Sequence, residues 1–222
     1  MPQVTLVNAQ VDKTAIWLDL AEHFLDTETR HLIPASAGLC VRAGLSIEAA
    51  SNIWRYEVTP AVWPNLWSVA GEWGLWERDW LTSRIQALRG RFPNRPGAFA
   101  KLIYRLRVHY NHRVWVAIAA CMEEFEHTPE FERQGLERNL GWLSRHYFDF
   151  CPTPVSAVDR VTLRSLYYTT FLRVFEPLVF RDRIDGESKV VCNARVEAAL
   201  AAPPTAAAPE LDLFQTGRRQ LS

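Results

Sequence analysis

Glu124 and His127 have the spacing that places a carboxylate and an imidazole side by side on a helix. Carboxylate-bridged metal sites in helical bundles use this pair, but they need it from two helices together with further glutamates. The structural alternative is a solvated helix end, because glutamates crowd the following turn. A lone pair does not complete a coordination shell, so we expect no metal and no other cofactor.

The cysteines offer the second candidate chemistry. They lie far apart and form no C-x-x-C pair: Cys40, Cys121, Cys151 and Cys192. This pattern is typical of reduced core thiols. No local signature joins Cys121 or Cys151 to His127 or His146 as a nucleophile, and no phosphate loop, G-x-S-x-G or H-E-x-x-H is present. A carboxylate-based enzyme stays open, because such chemistry leaves no motif.

A basic segment runs from Trp80 to Met122, which contain no Asp or Glu between them. Its cations are Arg84, Arg89, Arg91, Arg95, Lys101, Arg105, Arg107 and Arg113. With aromatic residues interleaved, the segment could follow a phosphate backbone and stack bases. The alternative is pairing with the acidic residues from Glu123 to Glu137. The overall balance of 25 basic and 25 acidic residues favours that alternative.

The C-terminal residues carry a peptide-like motif. After the Ala/Pro linker Pro203–Pro209 comes Glu210-Leu211-Asp212-Leu213-Phe214. It is similar to the Q-L-x-L-F peptides by which bacterial DNA-handling proteins dock on the sliding clamp, with Glu210 in place of glutamine. Leu211, Leu213 and Phe214 could fill an apolar groove while the linker gives reach. The alternative is a tail that folds back onto its own domain.

Apolar residues recur at helical spacing along most of the chain, which predicts an all-α fold. The predicted helices cover residues 12–25, 34–43, 46–58, 77–88, 98–108, 111–126, 128–148, 156–177 and 194–202. Pro60 and Pro177 are expected to end helices. Asp185-Gly186 permits at most one short β-hairpin near residues 179–192. We expect one compact multi-helix domain, or two helical subdomains, with a flexible C-terminal tail.

Three regions follow from these patterns. Residues 1–90 form a helical N-terminal region, residues 91–202 a helical second half packed on it, and residues 203–222 the linker and exposed tail. The N-terminus lacks a signal-peptide pattern, and no stretch reaches the roughly 18 apolar residues that a membrane span needs. We therefore expect a cytoplasmic protein without membrane contact.

Two strings give the chain a family resemblance: Phe24-Leu25-Asp26-Thr27-Glu28 and Pro64-Asn65-Leu66-Trp67-Ser68-Val69-Ala70-Gly71-Glu72-Trp73. With Trp17-Leu18, Ile53-Trp54 and Glu57-Val58, they make the stretch from Ile16 to Ile85 resemble an uncharacterised bacterial family, DUF7079. The resemblance covers about a third of the chain. It implies no established activity.

The same strings hold carboxylates and tryptophans in apolar settings. The candidate partner or ligand pocket consists of Asp26, Glu28, Trp54, Trp67, Glu72 and Trp73. The structural alternative is that the carboxylates hold backbone N–H groups at helix starts.

The leading hypothesis is a non-enzymatic bacterial protein-binding protein, immunity-like or an adaptor. It rests on the absent catalytic motifs, the many tryptophans and the tail. A DNA-associated accessory protein that uses the basic segment and the clamp-like tail is the first alternative. A carboxylate-based enzyme is the second.

Overall fold

The computed structural model describes residues 12–25, 29–62, 76–91, 109–148, 160–179 and 189–201. Within these ranges the chain forms eight helices and no strand, which confirms the all-α prediction. The helices are α1 (Lys13–Glu22), α2 (Ile33–Arg42), α3 (Ile47–Val62), α4 (Arg78–Arg91), α5 (His109–His127), α6 (Glu130–Tyr147), α7 (160–179) and α8 (Lys189–Ala201). A 3₁₀ turn, Arg30–Leu32, leads into α2. The predicted helix over 98–108 and the tail lie outside the described ranges.

Local capping signals set the boundaries of the first helices. The Asp12 carboxylate accepts a hydrogen bond from the backbone N–H of Thr14, 3.0 Å away, at the start of α1. Ser46 caps α3 in the same way. Helix α2 ends at Arg42, and the chain turns at Gly44, whose φ of 69° suits glycine because it has no Cβ. The N–H of Leu45 bonds back to Cys40 O. These predicted boundaries are confirmed.

The prediction that Pro60 ends the third helix is wrong. Helix α3 continues to Val62 because its turn widens into a π-helical segment, Trp54–Val58. The backbone N–H of Thr59 bonds to Trp54 O, five residues back, and the Thr59 hydroxyl donates to the same carbonyl at 2.6 Å. A wider turn just before Pro60 makes room for a ring that a regular helix would not accept.

The sequence permitted at most one short hairpin near residues 179–192, and Lys189–Cys192 instead form the first turn of α8. Residues 180–188, which include the predicted turn, lie outside the described residues. Helix α7 runs two residues past Pro177, to Val179, and contains a second π-helical segment, Tyr167–Phe171.

Helix α2 lies at the centre and packs against α5 and α6. Its buried small residues, among them Ala37 and Gly38, let the neighbouring helices approach closely. Trp54 of α3 packs on Phe24 and on Trp115 of α5, with ring centroids 4.8 and 5.8 Å apart. On the other side, α7 packs against α5 and α6, and α8 against α6 and α7. One apolar core joins these helices.

In the part of the chain that is described, no single helix is long and apolar enough to span a membrane. The segments Arg30–Arg42 and Ile47–Val62 meet the length and composition criteria only together, and they are bent by 113° relative to each other.

Candidate functional site

The predicted metal pair is engaged in other contacts. Glu124 forms an ion pair with Arg173 of α7, and His127 Nδ1 lies 2.7 Å from the carbonyl oxygen of Glu123. The described residues contain no group of three or more His, Cys, Asp or Glu side chains that could hold a metal ion. Glu124 and His127 thus form an ion pair and a hydrogen bond within the protein, near the end of α5.

Of the predicted pocket, the structure describes only Trp54, which is buried in the core. The other pocket candidates lie outside the described residues: Asp26, Glu28, Trp67, Glu72 and Trp73. The same holds for Arg95, Lys101, Arg105 and Arg107 of the basic segment and for Leu211, Leu213 and Phe214 of the tail. Their roles stay predictions.

The described cations of the basic segment make contacts within the chain. Arg84 donates to the carbonyl oxygen of Ala61 at 2.8 Å, and Arg89 lies 3.7 Å from the Glu57 carboxylate. Arg113 of α5 is half-buried and has a partner, and only the backbone of Arg91 is described. Glu57 belongs to α3, so this ion pair is not formed with the acidic residues after Met122.

Helices α1 and α2 bring together three polar side chains that the sequence analysis did not single out. His23 Nε2 lies 2.9 Å from the Ser36 hydroxyl, and Ser36 also hydrogen-bonds to the Asp19 carboxylate. Asp19 and His23 are four residues apart, so they share one side of the chain at the end of α1. We call Asp19, His23 and Ser36 the α1–α2 junction.

Counting protons gives the direction of these two hydrogen bonds. Ser36 donates its one hydroxyl proton to the Asp19 carboxylate, because this hydrogen bond lowers the pKa of Asp19. His23 Nε2 must then carry a proton and donate to the Ser36 oxygen. His23 Nδ1 and Asp19 Oδ2 are then acceptors, and both are buried without a hydrogen-bond partner. Burial and the nearby His31 lower the pKa of His23 to about 3, so its ring is neutral at neutral pH.

The Asp19 carboxyl lies among other charged groups. Burial raises its pKa to about 6, the Ser36 hydrogen bond opposes this shift, and Glu22 adds to it. Arg42 lowers the pKa of Asp19 and Glu137 of α6 raises it. Arg42 and Glu137 form an ion pair, and the Glu137 carboxylate occupies the space where a Cβ of residue 38 would lie. Gly38 thus lets α6 reach the edge of the junction.

The junction has the residue types of a serine hydrolase but not their arrangement. In a catalytic triad the histidine lies between the serine and the carboxylate, so that it can take the serine proton. Here Ser36 lies between His23 and Asp19. Ser36 is 0% exposed and His23 2% exposed, so neither meets a substrate in this conformation. The arrangement links two helices.

Glu57, in the first π-helical segment, forms a second junction. Its carboxylate accepts a hydrogen bond from the indole N–H of Trp17 at 2.6 Å and one from Lys13 at 3.0 Å, and Arg89 approaches from α4. Lys13 also lies over the Trp17 ring, 5.4 Å from its centroid. One carboxylate therefore ties α1, α3 and α4 together. The sequence held a partial signal, because Trp17 and Glu57 both belong to the strings that carry the family resemblance.

Helix α7 has two exposed large apolar side chains on its outer face. Val161 is 81% exposed and Tyr168, seven residues later, is 55% exposed. Arg164 and Arg173 are exposed on the same helix, and their side chains keep about three fifths of their surface accessible. We call Val161, Arg164, Tyr168 and Arg173 the α7 stripe; in chain order it alternates apolar and basic residues.

Neighbouring helices hold the α7 stripe in place. The Tyr168 hydroxyl donates to Glu197 of α8, and Arg164 lies 3.5 Å from the other oxygen of the same carboxylate. The Glu197 hydrogen bond raises the pKa of Tyr168, so this phenol stays protonated at neutral pH. Arg173 is anchored by Glu124 of α5. The stripe is a fixed surface.

The opposite face of α7 is buried. Leu163, Tyr167, Phe171 and Phe175 follow at four-residue spacing, and the rings of Phe171 and Phe175 stack 4.4 Å apart. Val161 lies two residues before Leu163, a spacing that on a helix points to another side.

Comparison of the sequence with protein-family models finds one match. Residues 11–121, half of the chain, match the family model described as Domain of unknown function (DUF7079). The chain belongs to the DUF7079 family. The DUF7079 match covers α1 to α4 and most of α5, and therefore both polar junctions, whereas the α7 stripe lies beyond it. No curated protein and no solved structure matches the chain.

Proposed function

We propose that this DUF7079 protein is a non-catalytic, protein-binding protein, immunity-like or an adaptor, of the bacterial cytoplasm, and that the α7 stripe is its partner surface. The observation that carries the proposal is the exposure of Val161 and Tyr168 on one helix face, with Arg164 and Arg173 exposed on the same helix. Single exposed apolar residues are ordinary on protein surfaces. Here two of them lie at helical spacing with arginines on the same helix, and aromatic and arginine side chains are enriched at protein interfaces.

The composition of the α7 stripe favours a protein partner. Tyrosine and arginine are enriched among the residues that dominate binding energy at protein interfaces. Tyr168 and Arg164 are already held by Glu197, so binding costs less side-chain entropy than it would with free side chains. Val161 adds an apolar contact about two turns before Tyr168 on the helix. These residues supply an anchor and charged neighbours on a rigid support.

The burial of reactive groups also supports a non-catalytic role. Ser36 and His23 lie inside the α1–α2 junction. Cys40 and Cys121 are buried free thiols, and burial raises the pKa of Cys40 to about 12 and that of Cys121 further. A thiol acts as a nucleophile through its thiolate, so these two stay unreactive at neutral pH.

The experiment is quantitative capture by the tagged full chain expressed in its native host. Two variants disrupt the α7 stripe, Val161→Asp and Tyr168→Ala. The matched control is Val116→Asp, because Val116 is a half-exposed valine of α5, outside the stripe. A partner of the stripe is retained by the wild type and the control and reduced at least about tenfold in the stripe variants.

Two results would contradict the proposal. One is a set of captured proteins that does not change in either stripe variant. The other is an equal loss with Val116→Asp, which would mean that any added surface charge has the same effect. Circular dichroism melts of all variants establish that the fold is unchanged, as expected for exposed positions.

A further inference from the structure

We infer that the tail segment of this chain, residues 210–214, binds in cis to the α7 stripe. The segment lies outside the described residues. Three features of the structure carry the inference: the place where the chain leaves α8, the length of linker available, and the complementary chemistry of segment and stripe. The contact does not depend on the proposed partner, but it would compete with it for the same surface.

The contacts between α7 and α8 set the starting point of the tail. The Tyr167 hydroxyl donates to Asn193 at 2.8 Å, and Arg164 lies 3.5 Å from Glu197. Lower residue numbers on α7 thus meet higher ones on α8, so the two helices run antiparallel. The end of α8 at Ala201 therefore lies beside the start of α7, where Val161 is exposed.

The linker is long enough to reach the whole stripe. Residues 202–209 separate Ala201 from Glu210. At roughly 3.3 Å per extended residue, eight residues span up to about 26 Å. From Val161 to Arg173 the helix rises about 18 Å at 1.5 Å per residue. A tethered segment of this kind meets the stripe at an effective concentration of about a millimolar, well above that of a separate molecule.

The tail segment and the stripe have matching chemistry. The segment alternates acidic and apolar residues, Glu210, Leu211, Asp212 and Leu213, and ends with Phe214. The stripe alternates apolar and basic ones. Arg164 and Arg173 each contact one carboxylate in the described structure, and a guanidinium has five N–H donors, so donors remain for the acidic residues of the tail. Val161 and Tyr168 offer apolar surface to the leucines and Phe214.

The test places a photoreactive residue in the full-length protein, Phe214→p-benzoylphenylalanine, and maps cross-links by mass spectrometry on dilute, purified protein. The expected product is an intramolecular cross-link to the α7 stripe. Val161→Asp or Tyr168→Ala lowers its yield about tenfold, because each removes an apolar contact from a small interface. Val116→Asp leaves the yield unchanged.

Three outcomes would overturn the inference. Cross-links that fall elsewhere on the chain would place the tail on another surface, and the absence of any cross-link would mean that the tail stays free. A product of twice the monomer mass whose yield rises with protein concentration would mean that the tail binds a second copy. Because no partner is present, failure here leaves the proposed function intact, and failed capture leaves the cis contact intact.

Discussion

The α1–α2 junction and the α7 stripe use polar and apolar residues in opposite ways. The junction places Asp19, His23 and Ser36 inside the protein, whereas the stripe leaves Val161 and Tyr168 outside. Buried polar groups are costly unless they are paired, so a junction of this kind fixes how two helices meet. Exposed apolar groups contribute little to folding and are available for recognition. The comparison separates buried polar residues that join helices from exposed residues that form the proposed interface.

The two π-helical segments sharpen this difference. In α3 the segment Trp54–Val58 contains Glu57, which binds residues of α1 and α4. In α7 the segment Tyr167–Phe171 contains both a buried and an exposed tyrosine, and each binds a different residue of α8. Widened turns are frequent at functional sites and usually serve a specific contact. The segment in α3 thus joins helices inside the protein, and the segment in α7 borders the proposed interface.

The largest expected effect comes from the core beside the α1–α2 junction. Trp54→Ala should lower the free energy of unfolding by about 3–5 kcal/mol, because it leaves a large cavity between Phe24 and Trp115. Tyr168→Ala is the matched aromatic truncation on the stripe and should cost less than about 1 kcal/mol. Urea titrations followed by circular dichroism measure both. Equal losses would remove the distinction between the two regions.

Asp19→Asn should stabilise the protein in a pH-dependent way. The folded-state pKa of Asp19 is raised to about 6 from 3.8, so the folded protein favours the neutral carboxyl, and stability falls as pH rises from about 4 to 6. Above pH 7 the asparagine should therefore gain about 2–3 kcal/mol, and near pH 3 it should gain little. Unfolding titrations at pH 3.5 and pH 7.5 provide the measurement. The same gain at both values would contradict it.

Glu57→Gln should weaken the junction of α1, α3 and α4 by about 1–2 kcal/mol. The amide keeps an oxygen for the Trp17 indole but loses the charge that Lys13 contacts. Trp17→Phe removes the other partner, and the double variant completes a thermodynamic cycle. We expect a coupling energy of about 1 kcal/mol between the two positions. Additive losses would show that the charge of Glu57 does not strengthen its hydrogen bond with Trp17.

The smallest effect is expected at Arg173 on the stripe. Arg173→Ala should change the free energy of unfolding by less than about 1 kcal/mol, because its ion pair with Glu124 is exposed. The same variant should weaken binding of the tail or of a partner. A loss of binding without a loss of stability would distinguish a residue of the stripe from a residue of the core. A large loss of stability at this position would assign Arg173 to the fold instead.

Short-range signals in the sequence were sufficient for some of the helix boundaries. The starts predicted at residues 12 and 46 and the end predicted at residue 43 lie within one residue of the observed ones, because Asp12, Ser46 and Gly44 act on backbone groups within a few residues. Pro60 was misinterpreted, since whether a proline ends a helix depends on the turn before it and on what packs around that turn. The short apolar run at Lys189–Cys192 fits a strand or a helix, and packing of α8 on α6 and α7 selects the helix.

The sequence by itself determined the helical class, the caps and the family resemblance, because each depends on residue types at short spacing. Tertiary structure alone decided which polar residues meet. Asp19 and His23 form a polar junction because the packing of α2 places Ser36 against them. Glu57 joins three helices because α1 and α4 place Trp17 and Arg89 beside it. The exposure of Val161 is likewise a tertiary result, since the core can cover only one side of α7. Contacts between residues far apart in sequence depend on how the helices pack, and no local pattern encodes that.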